Sequence, residues 1–305
     1  MSSLAQLTTE GRNPASEAID QMSALQIARL INAEDATVAA AVATQLEPIA
    51  KAMEVIAERL RAGGRLIYLG AGTSGRLGVL DASECPPTFN SPPGQVVGLI
   101  AGGPAALTRS IENAEDHPEF AVEDLKSISL SAGDVVVGIA TSGRTPYVLG
   151  GLAYARKQGA FTIGIACNQD ASLISYADLA ITPIVGPEVI SGSTRMKAGT
   201  ATKMVLNMLS TGAMVLLGKT YGNLMVDLQA TNSKLVERSR RIVATVTGCS
   251  PGEAEHALAQ CQGEVKTAIV ALRCSVPPEE ARRRLEQHGG RLRKAMEPEN
   301  RERAG

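Results

Sequence analysis

Aromatic side chains are scarce in this chain. Its 305 residues include three phenylalanines, five tyrosines and no tryptophan, and its formal net charge is −1 with both signs interspersed. Proteins that bind single-stranded nucleic acid stack bases on aromatic rings, and those that bind duplexes or anionic membranes carry basic surfaces. The composition therefore predicts no nucleic-acid partner and no membrane partner.

A cysteine framework and a long apolar run are also lacking. The five cysteines are scattered and odd in number, without a Cys-x-x-Cys pair or a paired histidine, so we expect neither disulfides nor a metal site. No apolar run reaches the roughly 18 residues of a membrane span, and the first residues contain no apolar signal core. We expect a cytoplasmic protein. The cysteines are Cys85, Cys167, Cys249, Cys261 and Cys274.

What the chain does have is a set of turns rich in glycine and hydroxyl groups. The first turn, Gly70 to Gly75, follows the apolar run Leu66–Leu69 and precedes an apolar-periodic helix. Free backbone N–H groups and the positive end of a helix dipole then point to a place where a phosphate can sit. Thr73 and Ser74 add hydroxyl donors, and glycines such as Gly72 let the backbone approach closely. This stretch predicts an anion site.

Two further turns have the same character. The strand-like run Val135–Ala140 leads into Thr141 to Thr145, and the loop Glu188 to Lys197 precedes a helix predicted over residues 199–217. Hydroxyls and backbone amides in three loops match the oxygens of a phosphorylated, polyhydroxylated molecule. The predicted substrate- and phosphate-binding residues are Gly72, Thr73, Ser74, Thr141, Ser142, Arg144, Thr145, Glu188, Ser191, Ser193 and Thr194.

Simpler interpretations of some of these residues stay open. Arg144 could be an ordinary loop charge, and Ser191, Ser193 and Thr194 could be caps of the following helix. The first turn is also a literal G-x-G-x-x-G, which occurs in dinucleotide-binding proteins. That function requires an acidic residue on a second strand about 20 positions later, and none is found around Asn90. A small phosphorylated ligand is therefore favoured.

Strand-like and helical runs alternate through the middle of the chain. Parallel strands connected by helices form doubly wound sheets, so we predict a five-stranded parallel α/β sheet. The helix before the first strand is predicted over residues 35–61 with a kink at Pro48, and the helix after it is predicted to end at Cys85-Pro86-Pro87. The predicted strands are 66–69, 95–101, 135–140, 161–166 and 179–181, and the helical runs between them are 146–158 and 172–176.

The chain is predicted to contain three parts. Residues 1–34 form an extended polar arm and a short helix capped at Ser23 or Asp20, and residues 35–238 form the α/β domain. Residues 239–305 form a small three-helix domain without recognisable chemistry. Two helix starts are predicted in that domain from cap-then-acid patterns, at Ser250 and at Ser275.

Several long motifs carry a resemblance to a known family. RLIYLGAGTSGR, DVVVGIATSGRTPYV and GSTRMKAGTATK resemble the sugar isomerase (SIS) phosphosugar-binding fold, which has a flavodoxin-like sheet. With TTEGRNPASEAID, LDASECPPTF, IENAEDH and EVISGSTRMKAGTATKMVLNMLST, the chain resembles the N-acetylmuramic acid 6-phosphate etherase family over nearly its whole length.

The resemblance implies a lyase. Members of that family cleave the D-lactyl ether of N-acetylmuramic acid 6-phosphate in cell-wall recycling, giving N-acetylglucosamine 6-phosphate and D-lactate. The implied mechanism removes the C2 proton, expels lactate from C3 and adds water. The family's two acid/base glutamates correspond to Glu84 and Glu115. A homodimer without metal or organic cofactor is also implied.

The residue types agree with this chemistry. Elimination beside an aldehyde requires a base for the carbon acid and an acid for the leaving oxygen, and two carboxylates can supply both. Glu84, at the predicted helix end beside apolar residues, favours the protonated acid, whereas Glu115 in a polar segment favours the ionised base. Without the resemblance, Glu84 could be a solvated helix-end carboxylate and Glu115 part of a solvated charge cluster.

Two other functions use the same fold. An aldose–ketose isomerase would share the phosphate loops and also move a C2 proton. A non-catalytic sugar-phosphate sensor could keep the three loops and lose the carboxylates. Because both Glu84 and Glu115 are present, the sequence favours the lyase.

Overall fold

The apolar runs form one parallel sheet. The strands are β1 (Leu66–Gly70), β2 (Val96–Ile100), β3 (Val135–Ile139), β4 (Phe161–Ile165) and β5 (Leu179–Ile181). In the computed structural model, which describes residues 8–228 and 233–297, they pair in the order β2-β1-β3-β4-β5 and every pair is parallel. The predicted five-stranded, flavodoxin-like sheet is confirmed. In such sheets ligands bind beyond the carboxyl ends of the strands, beside the point where the strand order reverses.

Helices cover both faces of this sheet. The helices of the chain up to residue 216 are α1 (Ala24–Asp35), α2 (Val38–Ala43), α3 (Leu46–Arg61), α4 (Gly72–Phe89), α5 (Pro118–Ser127), α6 (Pro146–Lys157) and α7 (Lys197–Leu216). Leu69 of β1 packs in one buried cluster with Leu125 of α5 and Leu152 of α6. Tyr68 points to the opposite face. There α4 comes so close that a Cβ on Gly78 would lie 2.8 Å from the Cβ of Tyr68.

A buried carboxyl group connects the elements of that second face. The Tyr68 hydroxyl donates to Asp81 on α4 over 2.7 Å, and the Ser210 hydroxyl on α7 donates to its other oxygen over 3.2 Å. Burial raises the pKa of Asp81, although the hydrogen bonds from Tyr68 and Ser210 and the charge of Lys203 oppose the shift. Asp81 therefore serves the packing of α4 against its neighbours.

The prediction of one long helix over residues 35–61 is wrong, because two separate helices, α2 and α3, occupy that range after α1 ends at Asp35. Ser23 forms a capping box with Gln26 at the start of α1, which confirms the predicted cap. The chain then breaks before α2 and again before α3, where Pro48 lies in the first turn. The N–H groups of a first helical turn have no partner inside the helix, so proline, which lacks an N–H, loses no bond there. The helix therefore restarts just before Pro48 instead of bending at it.

One other helix prediction was wrong, and one helix was not predicted. The helix predicted to end at Cys85-Pro86-Pro87 continues as α4 to Phe89, and the N–H of Asn90 still bonds to the carbonyl of Pro86. Each proline removes its own N–H but leaves its carbonyl free to accept the next bond. Helix α5 was not predicted, because it begins at Pro118 inside a run of charged residues that was interpreted as a polar segment.

The C-terminal part has its own core. After the ribbon β6 (Thr220–Tyr221) and β7 (Leu224–Met225) come α8 (Ser233–Thr247), α9 (Pro251–Gln260), α10 (Val265–Cys274), α11 (Pro278–Gln287) and α12 (Leu292–Ala295). A helical C-terminal region is confirmed, with five helices within the described residues rather than three. Ser250 caps α9 with Glu253 as predicted. Ser275 does not cap α11 but ends α10 in the left-handed conformation.

Contacts between residues divide the chain into two compact units. Residues 1–83 and 93–212 form the first unit, and residues 84–92 and 213–305 form the second. The division thus falls within α4 and α7, whereas the sequence placed it after residue 238, and the predicted domain boundaries remain a prediction. The predictions for residues 1–7, 229–232 and 298–305 lie outside the described residues. In the described ranges no helix is long and apolar enough to span a membrane.

An ion pair joins the amino ends of β1 and β3. The side chain of Asp134 is 1% exposed and accepts hydrogen bonds from Arg65 Nη2 over 2.7 Å, from the Arg65 backbone over 2.9 Å and from the Ser131 backbone over 2.8 Å. Burial alone would raise the pKa of Asp134, but the bonds from Arg65 and Ser131 outweigh it and the pKa is lowered. The pair therefore stabilises the folded chain while Asp134 is ionised.

We expect Asp134→Asn to lower the free energy of unfolding by about 3 kcal/mol at pH 7, because it leaves Arg65 without its carboxylate. Because the folded-state pKa is depressed, this stabilisation is complete above the unfolded pKa of about 4 and disappears as the pH falls through the folded value. Urea unfolding at pH 7 and between about pH 4 and 2 tests this, with exposed Glu123→Gln as control. A pH-independent difference would contradict it.

Candidate active site

The first predicted phosphate loop lies at the carboxyl end of β1. A Cβ on Gly75 would lie 2.6 Å from the carbonyl oxygen of Gly70, and one on Gly70 would lie 2.7 Å from the Gly75 nitrogen, so both positions require glycine. Helix α4 begins at Gly72, whose φ is +52°. Ser74 is buried and Thr73 half-buried within this first turn. The loop thus leads from the end of β1 directly into a helix N-terminus, and the anion site at that N-terminus remains a prediction.

The second loop, Thr141 to Thr145, joins β3 to α6. Gly143 has a φ of +72°, and a Cβ on it would collide with Ala171. Its N–H donates to the Ala140 carbonyl over 2.7 Å, and the Arg144 N–H donates to Ser142 Oγ over 3.3 Å. The hydroxyl of Thr145 does not cap α6, although Thr145 is the residue before that helix. The loop thus has a defined turn, as its sequence predicted.

Two residues that follow β4 form hydrogen bonds with this second loop. The carbonyl of Thr141 accepts from Asn168 Nδ2 over 2.9 Å and from the Cys167 N–H over 2.9 Å. Burial, with a smaller contribution from the charge of Glu188, raises the pKa of the Cys167 thiol to about 12. Cys167 is therefore a packing residue and not a nucleophile.

Glu115 lies beside both of the first two loops. Its backbone carbonyl accepts the N–H of Tyr147, in the first turn of α6, over 3.0 Å. Its side chain is exposed and lines a cavity of about 110 Å³ together with Gly72, Arg76 and Ser110. The structure thus brings one predicted catalytic residue next to one predicted phosphate-binding residue.

Glu84 lies on an exposed face of α4. The helix continues for more than a turn beyond it, so the helix-end argument for its role as the acid is not supported. Glu84 belongs to the second compact unit and Glu115 to the first. The assignment of the two glutamates as an acid/base pair remains a prediction.

Glu188, in the third loop, caps the start of α7. Its side chain is wholly buried, and its two oxygens accept the N–H groups of Lys197 and Ala198 at the start of α7, each over 2.9 Å. A carboxylate at a helix N-terminus satisfies amides that have no partner inside the helix. This contact gives Glu188 a structural role, and the predicted substrate contact of Glu188 remains a prediction. Ser193 and Thr194 are half-buried in the same loop.

The N-terminal arm contacts the third loop and Asn168, the residue that bonds to the second loop. It was predicted to be extended, but the described part forms three short 3-10 turns at Thr8–Glu10, Pro14–Ser16 and Ile19–Gln21. The Ser191 hydroxyl donates to the carbonyl of Glu10 over 3.0 Å, and Asn168 Nδ2 donates to Thr9 Oγ1 over 3.2 Å. Ser191 is therefore engaged by the arm.

Two residues of this region were missed by sequence reasoning, Arg76 and Asn168. Arg76 stands within the quoted GAGTSGR motif, and Asn168 follows a predicted strand at its carboxyl end, so position could have indicated both. Within the described ranges, no group of three or more histidine, cysteine, aspartate or glutamate side chains is arranged to hold a metal ion.

Comparison with known proteins defines the class first. Residues 48–156 match the glucokinase regulatory protein N-terminal SIS domain, residues 113–212 the SIS domain, and residues 222–266 the C-terminal lid domain of glucokinase regulatory protein. A phosphoheptose isomerase from Francisella tularensis has a similar fold, with a TM-score of 0.50 at 15% identity over 62% of this chain and 100% of that chain. This is an SIS-domain protein.

Two relatives then define the family. The chain is 65% identical over 296 residues to N-acetylmuramic acid 6-phosphate etherase of Rhodopirellula baltica, over 97% of this chain and 98% of the relative. It is 58% identical over 293 residues to the protein of that name from Mycolicibacterium smegmatis, over 96% of this chain and 98% of the relative. The chain belongs to the N-acetylmuramic acid 6-phosphate etherase family, which confirms the resemblance found in its motifs.

Proposed function

We propose that this chain cleaves the D-lactyl ether of N-acetylmuramic acid 6-phosphate and releases N-acetylglucosamine 6-phosphate and D-lactate. The observation that carries the proposal is the cavity that Glu115 lines together with Gly72 at the start of α4. It combines an anion site and a carboxylate at the sheet edge where this fold binds ligands. The names of relatives that are 58% and 65% identical support the same substrate.

The proposed reaction has two stages. In the first, a base takes the C2 proton of the open-chain sugar, the C–H electron pair forms the C2–C3 double bond, and the C3–oxygen bond breaks. An acid protonates the departing lactate oxygen. In the second, water adds across the double bond, giving oxygen to C3 and hydrogen to C2. Glu115 is proposed as the base because it lines the cavity beside the start of α4, and Glu84 is proposed as the acid because the second task needs another carboxyl group.

The phosphate is proposed to bind at the first two loops. The start of α4 offers backbone N–H groups beside the hydroxyls of Thr73 and Ser74. The second loop offers the hydroxyls of Ser142 and Thr145 near the start of α6. The third loop, with Ser193 and Thr194, is proposed to contact the sugar. No metal or organic cofactor is part of the proposal.

A homodimer in the cytoplasm is also part of the proposal. None of the twelve residues of α1 is buried within the chain, and its Leu25 is 60% exposed. An amphipathic helix of this kind gains stability when another copy covers its apolar stripe. The free cysteines among the described residues fit a reducing compartment, and recycling of cell-wall amino sugars is the proposed role.

The test is incubation of the purified wild-type protein with N-acetylmuramic acid 6-phosphate in deuterated, 18O-labelled water. We expect equal amounts of D-lactate and N-acetylglucosamine 6-phosphate, with deuterium at C2 and 18O at C3 of the sugar. Lactate should carry no 18O, because it keeps the ether oxygen. Label in the lactate would indicate hydrolysis at the lactyl carbon, and turnover of an aldose phosphate without lactate formation would indicate an isomerase. Either result would contradict the proposal.

A further inference from the structure

The geometry points to Arg76 as the residue that binds the carboxylate of the lactyl group, and so as a specificity-determining residue of this site. The inference rests on the proposed function, because the lactyl carboxylate distinguishes the proposed substrate from its sugar product. Both molecules carry the phosphate. A site that prefers the substrate therefore needs a second cation or donor set for the lactyl group.

Arg76 stands beside the groups proposed to react. It lies one helical turn after Gly72 on α4, so the two residues share a face of the helix. Arg76, Gly72, Ser110 and Glu115 line the same cavity of about 110 Å³. Among these four residues, Arg76 carries a positive charge and Glu115 carries a negative charge. A carboxylate entering the cavity is therefore attracted to Arg76 and repelled by Glu115.

Two backbone carbonyls fix the guanidinium plane. Arg76 Nε donates to the carbonyl of Leu107 over 3.2 Å, and Nη2 donates to the carbonyl of Arg109 over 3.3 Å. A guanidinium has five N–H donors, so both N–H groups of Nη1 and one of Nη2 remain. In residues 8–228 and 233–297, no carboxylate forms an ion pair with Arg76. The fixed plane offers a carboxylate a paired set of donors.

The connectivity of the substrate agrees with this placement. Lactate leaves from C3, next to the C2 from which Glu115 is proposed to take the proton. Only the ether oxygen and one carbon atom separate C3 from the carboxylate carbon. A substrate whose C2 meets Glu115 therefore has its lactyl carboxylate at the Arg76 side of this cavity. The phosphate on C6, several bonds away, is then left for Thr73 and Ser74, which do not line the cavity, and for the second loop.

The experiment compares substrate and product affinity in Arg76→Gln and Arg76→Lys. For Arg76→Gln we expect kcat/KM for N-acetylmuramic acid 6-phosphate to fall roughly 10- to 100-fold, the range for a charge-assisted bidentate pair. The Kd of N-acetylglucosamine 6-phosphate should stay within about two-fold, and Arg76→Lys should recover part of the loss because it keeps the charge. Arg109→Gln, an exposed neighbour outside the cavity lining, is the control and should match the wild type.

The inference is decided by comparing the change in kcat/KM for the substrate with the change in Kd for the product. An equal loss for substrate and product would show that Arg76 serves the phosphate or the local fold, and an unchanged substrate affinity would show that it does not contact the carboxylate. Both results overturn the inference. If the wild type releases no lactate, the proposed function fails, while the ratio of Kd values for the two sugars in wild type and Arg76→Gln still tests carboxylate binding. The concentration of folded protein in each variant is taken from the stoichiometry of N-acetylglucosamine 6-phosphate binding, so that a general loss of folded protein does not appear as a loss of kcat/KM.

Discussion

Glu115→Gln is expected to lower kcat for lactate release by roughly 10²- to 10⁴-fold, the range for loss of a general base. Glutamine has nearly the same shape as glutamate but cannot take the C2 proton. The fold should be unaffected, because the contact of residue 115 with Tyr147 is made by its backbone carbonyl and its side chain is exposed. Steady-state kinetics with N-acetylmuramic acid 6-phosphate measure the loss. Deuterium entry at C2 of recovered substrate should fall with it.

Glu112→Gln is the matched control for this variant. Glu112 is an exposed acid of the same polar segment and does not line the cavity. The substitution changes the net charge by the same amount, so it reports any effect of local charge alone. If Glu115→Gln has wild-type kinetics, or if Glu112→Gln loses as much activity, Glu115 is not the base. It is then one residue of a solvated charge cluster.

Glu84→Gln is expected to separate the two halves of the elimination. If Glu84 protonates the leaving oxygen, lactate release falls by roughly 10²- to 10⁴-fold while C2 still exchanges, since Glu115 remains. The measurement is the ratio of deuterium incorporation into recovered substrate to lactate formed in deuterated water. That ratio should rise in Glu84→Gln and stay low in the wild type.

Ser83→Ala is the control for Glu84→Gln. Ser83 is an exposed neighbour on α4 whose hydroxyl donates to the carbonyl of Leu80 within the same helix. It should keep wild-type kinetics. Loss of exchange in Glu84→Gln together with loss of lactate would contradict the division of roles, and an unchanged rate would show that Glu84 is a solvated helix residue.

The sheet was predictable because its signals are local. Each strand is a short apolar run such as Leu66–Leu69, and a parallel strand buried on both faces needs no more than that. The loop of Gly70 to Gly75 was also predictable, since its glycines are required by contacts within a few residues. Helix boundaries near prolines were less accurate. Pro86 and Pro87 lie inside α4, because each removes only its own donor and leaves the following bonds intact.

The site was predictable only in part, because the roles of its residues depend on distant partners. Glu188 was predicted to bind substrate, which remains a prediction, but the bonds of its carboxylate to the amides of Lys197 and Ala198 were not predicted. No local pattern distinguishes a ligand contact from a helix cap formed nine residues away. Arg76 was not singled out, because its proposed role depends on residues distant in sequence. Its guanidinium donates to the carbonyls of Leu107 and Arg109, and it lines a cavity together with Glu115.

The docking of the N-terminal arm has a consequence for the order of folding. The bond between Asn168 and Thr9 joins residues 159 apart in sequence, and that between Ser191 and Glu10 joins residues 181 apart. Contacts of such long range form after the local ones, because loop closure costs more entropy as the separation grows. The loop after β4 and the loop before α7 therefore reach their final arrangement only when Thr9 and Glu10 have docked on them.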